Sequence, residues 1–414
     1  MAMIDEKVSD LLRQERSRQF FTLMMIPSEN YTSRGVRKAL SSYFVHKYAE
    51  GYPGSRYYQG VENADAIELL AQSRAKKLFG VPHANVQPYS GSSANAAVYF
   101  ALLQPRDKIM GLSLESGGHL THGHPKITFS GKYFRSVQYS AEENGLLNYE
   151  AIRKLALAEK PKLIISGTTA YPRILSFKKF GQIAEEIGAW HLADISHIAG
   201  LIAGRAHLSP FSWADVVMTT THKTLRGPRG AIIMATKRGL KRDPRLGEKI
   251  DRAVFPGLQG GPHLHTIAGI AVALFEAQEK SFQGYAKQVV KNARVLASCL
   301  GKIGFRFVTR GTDNHLLLLD LRSKRVSGAE AALWLEKAGI VVNKNMIPGD
   351  PNPPANPSGI RMGTPALTTR GMGEGQMRLI ADWIARVIET KGEEKVCIEI
   401  AKEIRQLCQN FPLP

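Results

Sequence analysis

Between about residues 63 and 235, short apolar runs alternate with longer stretches whose apolar residues recur at helical spacing. Short runs bounded by turn residues predict strands, and the stretches between them predict amphipathic helices. The expected strands are Lys108–Leu112, Lys162–Ser166, Trp190–Ala193, Val216–Thr219 and Ala231–Ala235. Between the second and third, Phe177–Gly188 reads as a helix that stops at Gly188, which makes one βαβ unit. The rhythm as a whole predicts an α/β domain around a mostly parallel sheet.

Past the Pro/Gly-rich segment from Phe255 to Pro262 the pattern changes. A long helical stretch from His265 to about Lys302 leads into new strands at Arg306–Thr309 and His315–Asp320. A chain of 414 residues exceeds what one growing core accommodates, so two packed regions are expected. The division is placed at residue 271: an N-terminal helical arm and a large domain over 1–270, and a small α+β domain over 271–414. Asp350–Pro357 carries four prolines in eight residues and must be a loop, because proline removes donors and bars helix.

Charge alters this picture of an ordinary globular chain. With 55 Lys+Arg against 36 Asp+Glu, the formal charge is +19, which favours anionic partners, small molecules and nucleic acid alike. The densest basic run, Lys237–Arg245, contains Gly and Pro but no aromatic residue, so it reads as a solvated loop and not as a stacking platform for single strands. Cys299, Cys397 and Cys408 are too few and too scattered for a disulfide framework or a zinc site and read as structural. No apolar run is long enough to span a membrane, and the first residues are charged and helix-like, so a cytoplasmic location is expected.

Three polar clusters fall at the ends of expected strands, where open α/β sheets place ligands. In Thr219–Gly230, Lys223 follows a strand amid hydroxyls and precedes a Gly-Pro turn. A lysine there can be desolvated and serve as the amine of a Schiff base; a plain surface lysine is the alternative. In Trp190–His197 a strand delivers Asp194 and then His197. A carboxylate so placed requires a positive partner, which a protonated pyridine nitrogen would provide, or else it caps a helix beside a core histidine. In Tyr89–Asn95 small residues let backbone N–H groups at a helix start cradle a phosphate, with the Ser92 and Ser93 hydroxyls as further donors. Neither a dinucleotide nor a P-loop fingerprint is present. His119, His122 and His124 sit in a Gly-Gly loop without a companion carboxylate, which suits a tight turn better than a metal site.

Taken in order along nearly the whole chain, these motifs resemble the serine hydroxymethyltransferase family. They include Ser28–Ser33, Lys47–Gly54, Arg56–Tyr58, the Ser90 turn, Gly117–Gly123, Asp194–Gly200, Thr219–Gly230, Val254–Pro262, Gly311–His315 and Ser358–Pro365. The resemblance implies an aspartate-aminotransferase-like fold of pyridoxal-phosphate fold type I. It also implies a homodimer or tetramer with active sites shared between subunits. Lys223 would hold pyridoxal phosphate, Asp194 would pair with its ring nitrogen, His119 would lie against the ring face, and Thr169 would stand beside the cofactor. His197 would approach the ring oxygen and substrate hydroxyl, while Gly91, Ser92 and His222 would hold the phosphate. Gly260 and Gly261 would contact the phosphate from the neighbouring subunit, and Tyr48 and Tyr58 would also cross the interface. Glu50 would shuttle a proton, Ser28 would sit near the substrate, and Arg361 would take the amino-acid carboxylate as a bidentate fork. Tetrahydrofolate, the cosubstrate, would lie over Leu114, Gly118, Leu120 and Asn345.

Departures from the family's pattern are Pro27 before Ser28, Gln59 for glycine, Ser93 for glutamine, Ser116 for histidine and Thr169 for serine. None removes a group that the chemistry requires. The strong positive charge is unusual for the family and suggests attraction of folate's acidic tail. Two rival functions are a folate-independent threonine or β-hydroxy-amino-acid aldolase and a basic RNA-binding protein on the same fold. Glu50 and the Asn345 region argue against the first; Lys223, Asp194 and Arg361 together argue against the second as sole function.

Overall fold

The computed structural model of the chain describes residues 5–414. They form two compact units: Thr32–Lys287, and residues through Tyr31 together with Gln288–Pro414.

The larger unit is built on a seven-stranded sheet. In chain order the strands are β1 (His83–Asn85), β2 (Lys108–Leu112), β3 (Arg135–Tyr139), β4 (Leu163–Gly167), β5 (Trp190–Asp194), β6 (Val216–Thr220) and β7 (Ala231–Ala235). In space they lie in the order β1-β7-β6-β5-β4-β2-β3. The pairs β2–β3, β2–β4, β4–β5 and β5–β6 are parallel, and only β7 runs against its neighbours β1 and β6. Every residue of β4, β6 and β7 is buried, as expected for strands covered on both faces. The core on one side gathers Ile109, Leu163, Ile165, Leu192, Val216, Met218 and Ile233 against Ala94, Val98 and Tyr99 of the Gly91–Leu102 helix. The expected βαβ unit is present: Phe177–Glu186 is helical and joins the parallel neighbours β4 and β5.

The smaller unit holds a four-stranded antiparallel sheet of β8 (Arg306–Phe307), β9 (Leu316–Asp320), β10 (Asn343–Asn345) and β11 (Gly359–Gly363), ordered β8-β9-β11-β10. Leu317, Leu319, Ile360 and Met362 from the sheet meet Trp383, Ile384, Ile400 and Ile404 in its core.

Three expectations change. The units divide between Lys287 and Gln288 and not at residue 271, and the N-terminal arm belongs with the C-terminal unit. The reason is visible in Arg370, whose guanidinium donates to the carbonyls of Phe20 (2.8 Å), Thr22 (3.0 Å) and Phe411 (2.7 Å), while Leu23–Met24 pairs in parallel with Ile340–Val341. The long helical stretch is two helices, Leu264–Glu276 and Lys280–Lys302. The basic run is not a loop: Thr236 caps a helix over Lys237–Arg242 by accepting from Gly239 N. Two of its charges are spent internally, since Arg238 Nε lies 3.3 Å from the buried Asp215 carboxylate and Arg242 stacks over the Trp190 ring at 3.9 Å. The Asp350 segment is irregular, as expected; Asp350 gathers it by accepting from Asn352 N (3.1 Å), Ser358 N (2.9 Å) and Ser358 Oγ (2.7 Å).

Candidate active site

Asp194 is the last residue of β5 and is buried. Its Oδ1 accepts from Ser196 N (3.0 Å) and Ser196 Oγ (2.6 Å); its Oδ2 accepts from His122 Nε2 (2.9 Å) and Asn95 Nδ2 (3.1 Å). Burial alone raises a carboxyl pKa, but the His122 and Ser196 hydrogen bonds outweigh it and hold Asp194 well below the usual carboxylate range. Asp194 is therefore an anion at neutral pH. His122 Nδ1 accepts from the His119 backbone N–H at 3.4 Å, which leaves the His122 proton on Nε2, facing the carboxylate.

From Asp194 a second chain of bonds runs to the lysine. Ser196 Oγ accepts from Thr220 N (3.1 Å), and Thr220 Oγ1 accepts from Lys223 Nζ (2.7 Å). Thr220 ends β6, so adjacent parallel strands deliver both members of the pair at their C-terminal edge. His222 is held to about 3, by burial first and then by Lys223 and Arg229, and so is neutral. Its Nδ1 is buried without a hydrogen-bond partner among the described residues. Nearby, Ser90 caps the Gly91–Leu102 helix, and a Cβ at Gly91 would stand 2.7 Å from Thr220 Cγ2. A helix that starts without a side chain at Gly91, close to the Thr220 that binds Lys223, suits an anion, as does the unpaired His222 nitrogen near Lys223 and Arg229. Ser92 is exposed there, but Ser93 is not the free donor expected: its hydroxyl donates to Ser90 O (2.9 Å) and accepts from Ser90 N (3.0 Å) as part of the cap.

His119 lies on the loop after β2. Asn95 Nδ2 donates to Thr121 Oγ1 (2.9 Å), and Thr121 Oγ1 is 2.8 Å from His119 Nδ1, which also accepts from Thr121 N (3.2 Å). Because Nδ1 accepts from the Thr121 N–H, it carries no proton, so the threonine hydroxyl donates to it and the His119 proton sits on Nε2. Burial, then His122, lower the His119 pKa to about 4, so the ring is neutral. Thr169 fastens the same loop: its hydroxyl donates to Gly118 O (2.9 Å) and its N–H to Gly117 O (2.7 Å). Gly118 is buried, a Cβ there would collide with the Leu112 carbonyl, and Leu114 and Leu120 flank it on the half-buried and exposed parts of the loop. His197 is buried three residues past the β5 end, and its carbonyl accepts from Thr224 Oγ1 (3.0 Å).

A separate cluster in the same unit surrounds Glu50. The phenols of Tyr48 and Tyr58 lie 3.5 and 3.3 Å from its two carboxylate oxygens, and the two rings are 5.1 Å apart. Gly260 and Gly261 face them: a Cβ would meet Glu50 Oε1 at 3.0 Å and the Tyr48 ring at 3.1 Å, respectively. Tyr48 and Tyr58 are exposed.

Ser28, Asn345 and Arg361 belong to the smaller unit. Pro27, before Ser28, packs on Gly363, where a Cβ would come within 3.0 Å of the proline ring. Arg361 projects from β11, its Nε donating to Asn343 Oδ1 (3.1 Å), and burial lowers its pKa to about 10. Asn345 donates to Met346 O (2.7 Å).

Sequence spacing singles out Lys223, Asp194 and the Ser90 turn, and the family resemblance adds His119; neither points to Asn95, Thr121 and His122, which orient Asp194 and His119. Each of the three histidines of the loop has its own partner: Thr121 for His119, Asp194 for His122, and the Lys126 N–H for His124.

The profile described as serine hydroxymethyltransferase matches residues 1–384. A protein named serine hydroxymethyltransferase from Acidothermus cellulolyticus is 51% identical, covering 99% of this chain and 96% of its own. Proteins of the same name from Desulfotalea psychrophila (52% identical, 99% and 95% covered) and Acidobacterium capsulatum (50%, 100% and 95%) are similar over the same extent.

Proposed function

The chain belongs to the serine hydroxymethyltransferase family, and from that premise we propose that it transfers the hydroxymethyl carbon of serine reversibly to tetrahydrofolate, with pyridoxal phosphate on Lys223. Glycine and 5,10-methylenetetrahydrofolate are the products. The observation that carries the site assignment is the buried Asp194 anion, linked through Ser196 and Thr220 to Lys223.

The residues fit the cofactor. The unpaired His222 Nδ1 and the bare helix start at Gly91 suit its phosphate, and Asp194 suits a protonated ring nitrogen. Pyridoxal phosphate supplies an electron sink for the pair left on Cα when the Cα–Cβ bond of serine breaks. The chain's own groups do the rest. Asp194, kept anionic by His122, Asn95 and Ser196, holds a proton at the ring nitrogen. His119, neutral and oriented by Thr121, offers its ring face without adding charge. Glu50 moves the proton of the serine hydroxyl, flanked by Tyr48 and Tyr58. Loss of some hydrating water and then the Glu50 carboxylate raise the pKa of the exposed Tyr58, so that phenol stays protonated and donates to Glu50. Arg361 takes the substrate carboxylate, Ser28 lies near the substrate, His197 serves the substrate hydroxyl, and Leu114, Gly118, Leu120 and Asn345 receive the folate; these roles are carried by the family resemblance.

A homodimer with shared sites is part of the proposal. Exposed Tyr43 (90%), Tyr57 (73%) and Leu69 (52%) on the larger unit support self-association. No helix among the described residues is long and apolar enough to cross a membrane. The three cysteines are unpaired, which supports a cytoplasmic setting.

The test is to add pyridoxal phosphate to the cofactor-free protein, reduce with borohydride and map the modified peptide. Label on Lys223 is expected; label spread over surface lysines, unchanged in Lys223→Ala, would refute the assignment.

A further inference from the structure

The Glu50 cluster is carried on a tight hairpin of Gly51–Tyr52 and Ser55–Arg56. Gly51 has φ +96°, and a Cβ there would run into the Ser55 carbonyl, so the turn admits no side chain at that point. The hairpin closes on Arg56, whose side chain is 1% exposed. Its Nη1 donates to two carbonyls, Ala49 O (2.9 Å) and Gly51 O (2.8 Å), which bracket Glu50. Its Nε donates to Asp65 Oδ1 (2.8 Å) and its Nη2 to Glu68 Oε2 (2.7 Å). The remaining carbonyl, Glu50 O, accepts from Tyr57 N (3.1 Å). Three successive carbonyls around the proton-moving residue are thus tied down, two of them by one guanidinium.

That guanidinium is itself fixed. Glu68 is fully buried on the Glu62–Phe79 helix and also accepts from Gln87 Nε2 (2.9 Å), which donates in turn to Gly51 O (3.0 Å). Asp65 accepts from Gly54 N (2.9 Å) at the turn. No single one of these contacts is unusual, but together they use a buried ion pair to hold the backbone on both sides of Glu50, with Gln87 as a second side-chain donor at Gly51. A buried pair of this kind costs desolvation and returns geometric definition.

We propose that Arg56 is a positioning residue for Glu50, clamping the peptide units on either side so that the carboxylate meets substrate in one place; this rests on the role given to Glu50 above. A lysine at 56 has one nitrogen in place of a planar fork and cannot hold both carbonyls and both carboxylates. Displacement of a reacting group by about 1 Å can cost up to ~100-fold in rate.

The experiment is a double-mutant cycle on the cofactor-loaded enzyme, with Arg56→Lys, Glu50→Gln and the pair. It reads kcat and KM for transfer of labelled serine carbon to tetrahydrofolate, and cofactor absorbance alongside. Arg56→Lys should lower kcat by about tenfold or more with KM for serine and the bound-cofactor spectrum little changed, and should cause no further loss in the Glu50→Gln background. Losses that multiply, or a kcat within twofold of the parent, would overturn the clamp. A Glu50→Gln enzyme with full folate-dependent transfer would instead remove Glu50 from its role and the proposal with it. Should Arg56→Lys fail to fold, Gln87→Leu, which removes the second donor to Gly51 O and one donor to the Glu68 carboxylate that fixes Arg56, serves in its place: a smaller kcat loss of the same non-additive kind is expected, and an unchanged kcat overturns the proposal.

Discussion

Replacing Asp194 with asparagine keeps shape and removes charge, and its cost can be worked from the four hydrogen bonds the carboxylate accepts. Two come from Ser196 and one each from His122 and Asn95. Bonds to a charged acceptor contribute about 1.5–3 kcal/mol and neutral ones about 0.5–1.5 kcal/mol, so each loses roughly 1 kcal/mol. An amide nitrogen facing His122 or Asn95 would add a donor–donor conflict, and relief of the buried charge's desolvation offsets part of the total. The net expectation is a loss of about 2–4 kcal/mol at pH 7. In a cofactor-free protein followed by calorimetry, each kcal/mol lowers the melting temperature of a unit this size by roughly 2–4 °C. The pH dependence has a definite sign. Asp194 has a folded pKa below its unfolded value of about 3.9, so its stabilisation is fully present above that value and is lost as pH falls through the folded pKa. The gap between parent and Asp194→Asn should therefore be flat from about pH 7 to 5 and close below about pH 4. A gap under about 0.5 kcal/mol at pH 7, or one that widens with acid, would refute the bonding described at this carboxylate.

Three further expectations can be checked separately. His119, with a pKa near 4, should show no protonation shift in its ring NMR signals between pH 8 and 6; a midpoint above 6 would contradict its neutral state. Gly91→Ala should weaken pyridoxal phosphate binding by about tenfold or more in a cofactor titration, because the new methyl group meets Thr220 Cγ2 at 2.7 Å; undiminished affinity would show that the helix start does not hold the phosphate. If the +19 charge attracts folate's acidic tail, the KM for polyglutamylated folate should rise with salt while that for the monoglutamate changes less, and equal responses would dismiss the idea.

The parts of the fold that were legible in the sequence are those whose burial is continuous. Lys108–Leu112 and Ala231–Ala235 have the bounds expected of them, and β4, β5 and β6 differ by a residue at their ends, because strands buried on both faces leave unbroken apolar runs. Strand β3 escaped notice because it lies at the sheet edge: of Arg135–Tyr139 only Tyr139 is buried, so its sequence carries no apolar run. β1 is only three residues long. The break in the long helical stretch falls at Ala277–Glu279, where no glycine or proline announces it. At the site, Asp194 stands out because it ends an apolar run, and Lys223 because it follows the end of a buried strand amid hydroxyls. Asn95 reads as the end of the Tyr89–Asn95 turn and His122 as one of three loop histidines, since their meaning lies in contacts with Asp194 across 99 and 72 residues of chain. Spacing along a sequence cannot register such contacts. The Arg56 clamp is invisible for the same reason: two of its four acceptors are main-chain carbonyls.

The central claim is tested most directly by supplying serine labelled at its β-carbon to the pyridoxal-phosphate-loaded protein, with and without tetrahydrofolate, beside Lys223→Ala. Label transfer to folate that requires tetrahydrofolate and vanishes in the variant is predicted; cleavage of serine that proceeds equally without folate, or transfer that survives loss of Lys223, would contradict it.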